Sequence, residues 1–172
     1  MIKALLDVLP MSELHKSMIA APWLIGTFVQ EWSKLEYTTT STICAFNGAE
    51  FDKQRYEFLK NTSEQPNLLF GAVISEFPTE ADIVKSKYSY LCPIRHDIVH
   101  GFWNGIDDDG NLYAKRTKNK VNNTYKVKFS PPEFEQHINS VKTLNHDIWC
   151  LRLMHQKKDF EFLLPKFKPL IA

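Results

Sequence analysis

Cysteine is scarce and scattered in this chain. Cys44, Cys92 and Cys150 stand far apart in 172 residues, odd in number and with no CxxC pair. Such a set argues against a disulfide framework or a cysteine-based structural zinc site and points to a reducing compartment. Long apolar runs are also missing: no stretch approaches the roughly 18 residues of a membrane span. The opening Met1-Ile2-Lys3-Ala4-Leu5-Leu6-Asp7 is interrupted too soon for a secretory leader, so the expectation is a cytoplasmic protein with no membrane partner. Charge of one sign is not in excess either. A net charge of +1 gives no global pull toward nucleic acid or anionic lipid, and any basic surface must be local. Repeats and low-complexity segments are absent.

What is there reads as a single domain over 1–172, mainly α: an antiparallel helical bundle with a small β-hairpin inserted before the last long helix. A hydrophobic content of 44% and a charged content of 24% suit a chain with a sizeable core. From Ser12 to Glu36 the residues Leu14, Met18, Ala21, Ile25, Phe28, Trp32 and Leu35 recur at helical spacing, with Pro22 expected to kink or split the helix. The hydroxyl-rich Thr38–Thr42 run weakens its continuation. Glu50–Leu59 and a segment entered at Thr79 are expected to be further helices, and the apolar Leu68–Glu76 fits a helix or a buried strand, with helix preferred because no partner strand stands nearby. Asp107–Asn111 is a turn without the ligand spacing of a calcium loop. Tyr125, Val127 and Phe129 alternate with Lys126 and Lys128, so the hairpin is expected at about 111–129. Ser130-Pro131-Pro132-Glu133 is a helix start, with serine as cap, proline in the first turn and glutamate completing a capping box. The helix it opens buries Phe134, Ile138, Val141, Leu144, Ile148 and Leu151. The four tryptophans are expected in the core, and the apolar tail 160–172 is expected to dock on the body or on a second subunit.

One stretch stands out chemically: Ile94-Arg95-His96-Asp97-Ile98-Val99-His100-Gly101-Phe102-Trp103. Ile94, Ile98 and Val99 are expected to hold it against a core, Pro93 to sit in its first turn and Gly101 to end it. His96 and His100, four apart, stack on one helix face. Arg95 and His100 diverge by roughly 140° on an ideal helix, yet arginine is long enough to curl back, so both head groups can meet at one ligand. Asp97 can orient either histidine or pair with Arg95. An imidazole in the last turn beside a guanidinium feels opposing pushes on its charge, which suits a general base.

The pattern Arg95-His96-x-x-x-His100, with Gly101-Phe102-Trp103 behind it and Trp32-Ser33-Lys34-Leu35-Glu36 near the end of an early helix, resembles the HEPN superfamily, the higher eukaryotes and prokaryotes nucleotide-binding domains. The resemblance spans roughly Leu14 to His155. It departs from the commonest form in carrying His96 where asparagine is frequent. It implies a homodimer whose two motif helices face one cleft, and a metal-independent endoribonuclease of the toxin–antitoxin or abortive-infection kind, with RNA as substrate, an antitoxin protein as partner and no cofactor. In that scheme Arg95 and His100 act on the phosphodiester while His96 and Asp97 position substrate or imidazole. Glu36 pairs with Arg95 across the helices. Lys115, Arg116 and Lys118, part of a basic hairpin with Lys120, Lys126 and Lys128, hold phosphates. Some members of the superfamily bind nucleotides or partners without cutting, which is the alternative expectation.

Other chemistries fit less well. His96-Asp97-Ile98-Val99-His100 has the spacing of a zinc helix, but aspartate replaces the glutamate and no third ligand follows downstream. His137, His146 and His155, nine apart, drift around the last helix. The doublets His96-Asp97 and His146-Asp147 are a faint echo of HD phosphohydrolases.

Overall fold

The computed structural model describes residues 13–53, 64–118 and 123–156. The expected tail and the first residues of the chain lie outside them, as does most of the helix expected over Glu50–Leu59, of which 51–53 are helical. In chain order the described elements are α1 (Glu13–Asn47), α2 (Gln65–Val73), α3 (Pro78–His100), β1 (Phe102–Ile106), β2 (Leu112–Lys118), β3 (Asn123–Phe129) and α4 (Pro131–Gln156). The chain is mainly helical, with its small antiparallel sheet between helices. It divides into two compact units, one of 1–30 with 94–139 and the other of 31–93 with 140–172, so α1, α3 and α4 each supply a segment to both.

In three places the local rules of helix formation are overridden. α1 runs unbroken through Pro22 and on through the threonine run to Asn47. Thr39, Thr40 and Thr42 are fully buried, and each hydroxyl donates to the carbonyl four residues back, on Leu35, Glu36 and Thr38 at 2.7–2.8 Å. Their polar groups are thereby satisfied inside the helix, and burial outweighs a modest propensity deficit. α3 is likewise one helix rather than two. It starts at Pro78, with the Ala81 amide donating to Phe77 O at 2.9 Å, not at a Thr79 cap, and Pro93 lies within it rather than opening it. Both internal prolines are exposed, so the carbonyl each leaves unbonded is on the watered side. α2 begins at Gln65, three residues before the expected start, because Pro66 fits a first turn.

In the unit of 31–93 and 140–172, four helical segments pack on one another. Trp32 meets Tyr88 edge to face at 5.7 Å, and the Tyr88 hydroxyl donates to Gln65 Oε1 at 3.2 Å. Phe46 stacks on His155, whose ring nitrogens face Glu76 Oε2 at 2.7 Å and Ala45 O at 3.1 Å. The α4 stripe is as expected, with Val141, Leu144, Ile148 and Leu151 at 0% exposure. Trp32 is buried, but Trp23 and Trp149 are 42% and 47% exposed, which corrects the expectation of four core tryptophans. Each stands beside the buried stripe of its helix, next to Leu24 and Ile148, rather than on it.

In the other unit β1, β2 and β3 form an antiparallel sheet in that order. The expected hairpin is β2–β3, in register from Leu112↔Phe129 to Lys118↔Asn123; β1 joins its other edge, a strand the sequence pattern did not reveal. The turn at Asp107–Asn111 joins β1 to β2, with the Asn111 amide donating to Asp107 Oδ1 at 2.8 Å and Gly110 at φ 79°. Phe134, at the start of α4, meets Phe28, Trp103 and Phe129 at 5.6–6.1 Å between ring centres. The capping box is formed: Glu133 N donates to Ser130 Oγ and Ser130 N to Glu133 Oε2, each at 3.3 Å.

A buried ion pair in the helical unit joins Lys87 Nζ to Asp147 Oδ2 at 2.6 Å, with the two side chains 5% and 6% exposed. Burial pushes the Asp147 carboxyl up, and the Lys87 ammonium pulls it back. Lys87→Met leaves a buried carboxylate alone and is expected to cost about 3–5 kcal/mol at neutral pH, whereas Lys87→Met with Asp147→Leu should stay close to wild type. With its counter-charge gone, Asp147 has a folded-state pKa above its unfolded one. The folded chain then holds a proton the unfolded chain releases, so the Lys87→Met deficit should grow as pH rises through that value and shrink as pH falls below it. Urea unfolding across a pH series measures this; a deficit independent of pH contradicts it.

Candidate functional site at the end of α3

The site is built by the way α3 stops. The Gly101 amide donates to Asp97 O at 3.0 Å and the Trp103 indole to Ile98 O at 3.0 Å, so two carbonyls of the last turn find donors just beyond the helix. The chain then turns straight into β1 at close quarters. A Cβ on Gly101 would lie 2.5 Å from Asp97 O and 2.8 Å from Ala114 Cβ, so only glycine fits. Ile98 is 1% exposed and anchors the turn. Val99 does not help it as expected: at 38% exposure it faces water, being one position off the buried side.

The four polar residues of the motif separate into two groups. Arg95 does curl back, and its Nη1 lies 3.3 Å from His100 Nε2. Arginine offers only donors, so a hydrogen bond between these two atoms has Nε2 as its acceptor. The His96 ring meets the His100 ring at 4.8 Å and 64°. Both histidines are exposed and Arg95 is half-buried. Partial loss of water, then the charge of Arg116, then His100, hold the His96 imidazole below its ordinary value.

Asp97 turns the other way. Its Oδ1 is ion-paired with Arg116 Nη1 and accepts the Tyr125 hydroxyl at 3.1 Å. Arg116 is thus taken up in tying β2 to α3, with 11% side-chain exposure. Desolvation first, and then Asp97, raise the Tyr125 hydroxyl. Of the other expected substrate contacts, Lys115 is exposed on β2, and Lys118 ends β2 with its side chain outside the described part. Lys120 is outside it altogether. Glu36 belongs to the other unit and accepts the Trp32 indole at 2.9 Å.

The alternation along β3 marks Tyr125 only as part of a half-buried strand. Its register partner is Arg116, and that pairing, visible only once the hairpin is aligned, is what brings both to Asp97. Among the described residues no three histidine, cysteine, aspartate or glutamate side chains are grouped so as to hold a metal ion, and no helix is long and apolar enough to cross a membrane. Comparison with known proteins gives no match among family models, curated proteins or solved structures.

Two substitutions test this geometry. Gly101→Ala must push backbone against backbone and is expected to destabilise the fold by about 1–3 kcal/mol, read as a lower denaturation midpoint. Arg116→Gln removes a positive charge from beside His96, so the His96 midpoint should rise in an NMR titration; an unmoved or lowered midpoint refutes that electrostatic assignment.

Proposed function

We propose that this protein is a metal-independent endoribonuclease in which Arg95 and His100 act on one phosphodiester. The observation that carries the reading is the convergence of a guanidinium and an exposed imidazole at 3.3 Å from helix positions five apart. RNA carries its own nucleophile, the ribose 2′-hydroxyl, so a base and a fixed positive charge suffice for cleavage. An incoming phosphate competes for the Arg95 donors and draws them from His100 Nε2, freeing its lone pair. That nitrogen takes the 2′-hydroxyl proton while the 2′-oxygen bonds to phosphorus. The bond to the 5′-oxygen breaks, the leaving oxygen takes a proton from water, and a 2′,3′-cyclic phosphate remains. Planar guanidinium donors match the phosphate oxygens whose charge grows in the transition state. His96, held toward its neutral form, supports the His100 ring by contact instead of acting as a competing acid.

The HEPN resemblance of Arg95-His96-x-x-x-His100 supports the same chemistry and extends it. In that extension two copies of the chain face each other across the motif helices, and the activity is that of a cytoplasmic toxin or abortive-infection effector restrained by an antitoxin protein.

The test is RNA cleavage in EDTA by wild type, His100→Ala and Arg95→Ala. Each substitution should lower the rate by about 100-fold or more with an unchanged circular dichroism spectrum, and wild-type products should end in cyclic phosphate. Full activity in either variant sinks the assignment. RNA bound by wild type with no product over time selects a binding module, with Arg95 as a phosphate anchor.

A further inference from the structure

We propose that the outer face of the β1–β2–β3 sheet is a stacking platform for single-stranded RNA, with Phe102 as its principal base-contacting residue. The proposal rests on the ribonuclease reading for its choice of RNA over other single strands.

The face is defined by the pleat. Trp103 points inward, donating to Ile98 O, and Ala114 is 0% exposed, so their neighbours Phe102 and Lys115 must point out. The register aligns Phe102 with Lys115 and Lys115 with Lys126, one outward row across all three strands. The next row pairs Gly105 with Tyr113 and Tyr113 with Lys128. Phe102 is 74% exposed, a larger fraction than any other large apolar side chain described. A phenyl ring at the edge of a sheet, two residues beyond His100 and with no packing role, is what a base requires and what a core does not.

The bulge between Trp103 and Gly105 adds to this. It sets a glycine opposite Tyr113, so the residue paired with Tyr113 brings no side chain over the ring. Phe102 and Tyr113 are diagonal neighbours, about 7–8 Å apart by sheet geometry, so successive splayed bases can lie on both. The charges are complementary. Lys128 is neutralised by Asp107 at 2.6 Å, but among the described residues neither Lys115 nor Lys126 has a carboxylate partner. Lys126 Nζ lies 5.8 Å from the Tyr113 ring centre, beside where a base would stack. Sheet aromatics flanked by lysines favour single strands, because a duplex keeps its bases stacked within itself. Phe102 follows His100 by two residues in the chain.

The experiment measures binding of a labelled 2′-O-methyl single strand, which lacks the nucleophile, and of the same strand in a duplex, by fluorescence anisotropy over a salt series. Phe102→Ala should weaken single-strand binding about 5- to 150-fold, and Phe102→Trp should retain it. Lys115→Gln and Lys126→Gln should each flatten the logarithmic salt slope by about 0.7. No binding by wild type, duplex binding as tight as single-strand binding, or Phe102→Ala within twofold of wild type overturns the platform. Loss of the cleavage assignment with a surviving Phe102 effect leaves the platform standing, and intact cleavage without a Phe102 effect removes the platform alone.

Discussion

Everything chemical in this molecule depends on how tightly α3 is stopped. The helix ends and the strand begins with one residue between them, and that residue must be glycine because Asp97 O and Ala114 stand where a Cβ would go. Trp103 closes the other side by bonding back to Ile98 O while its ring packs against Phe129 and Phe134. A frayed last turn would let His100 drift from Arg95, since a bond between positions five apart needs both the helical twist and a fixed end. The short connection therefore supports the fold and the site together.

Asp97 acts as divider. Sitting between two histidines and two residues from an arginine, it is placed in sequence to neutralise or orient any of them. Its bonds to Arg116 and Tyr125 commit it to the sheet instead. Among the described residues this leaves His100 with a guanidinium neighbour and no carboxylate ion pair, unlike the hydrolases in which an aspartate stabilises the charged imidazole. That neighbour is Arg95 Nη1, 3.3 Å from His100 Nε2. If His100 is the base proposed above, a ligand that competes for the guanidinium donors would uncover its lone pair.

How much of this could be read in the sequence depended on whether the signal was local. The capping box at Ser130 and Glu133 needs four residues, and the α4 stripe from Phe134 to Leu151 needs one helix; both were legible. So was the meeting of Arg95 with His100, which follows from helix twist and side-chain length. Features that depend on distant partners were not. The Thr38–Thr42 run reads as a helix breaker until its burial, and the bond of Thr42 Oγ1 to Ile148 O at 3.5 Å, are known. Pro93 reads as a helix start because sequence alone does not say that its side faces water. β1 was invisible because Phe102–Ile106, with its bulge and Gly105 at φ 136°, lacks the alternation of a regular strand. The pairing of Asp97 was hidden for the same reason: its partners lie 19 and 28 residues away, on strands whose register had to be fixed first.

The two faces of the sheet divide the work in a way that follows from the pleat. Inward residues Trp103, Ala114 and Arg116 fix the end of α3, and Phe102, Lys115 and Lys126 point to the other face. A strand whose inner side sets the geometry of a site can carry binding groups on its outer side without disturbing it, because neighbouring residues point to opposite faces. The single-residue link would then keep the proposed binding and cutting in phase. Moving Phe102 by one position would turn its ring into the core and put Trp103 in water, and the contact that holds His100 in place would go with it. Binding and cutting are on this account coupled through backbone register, and a register slip would lose both at once.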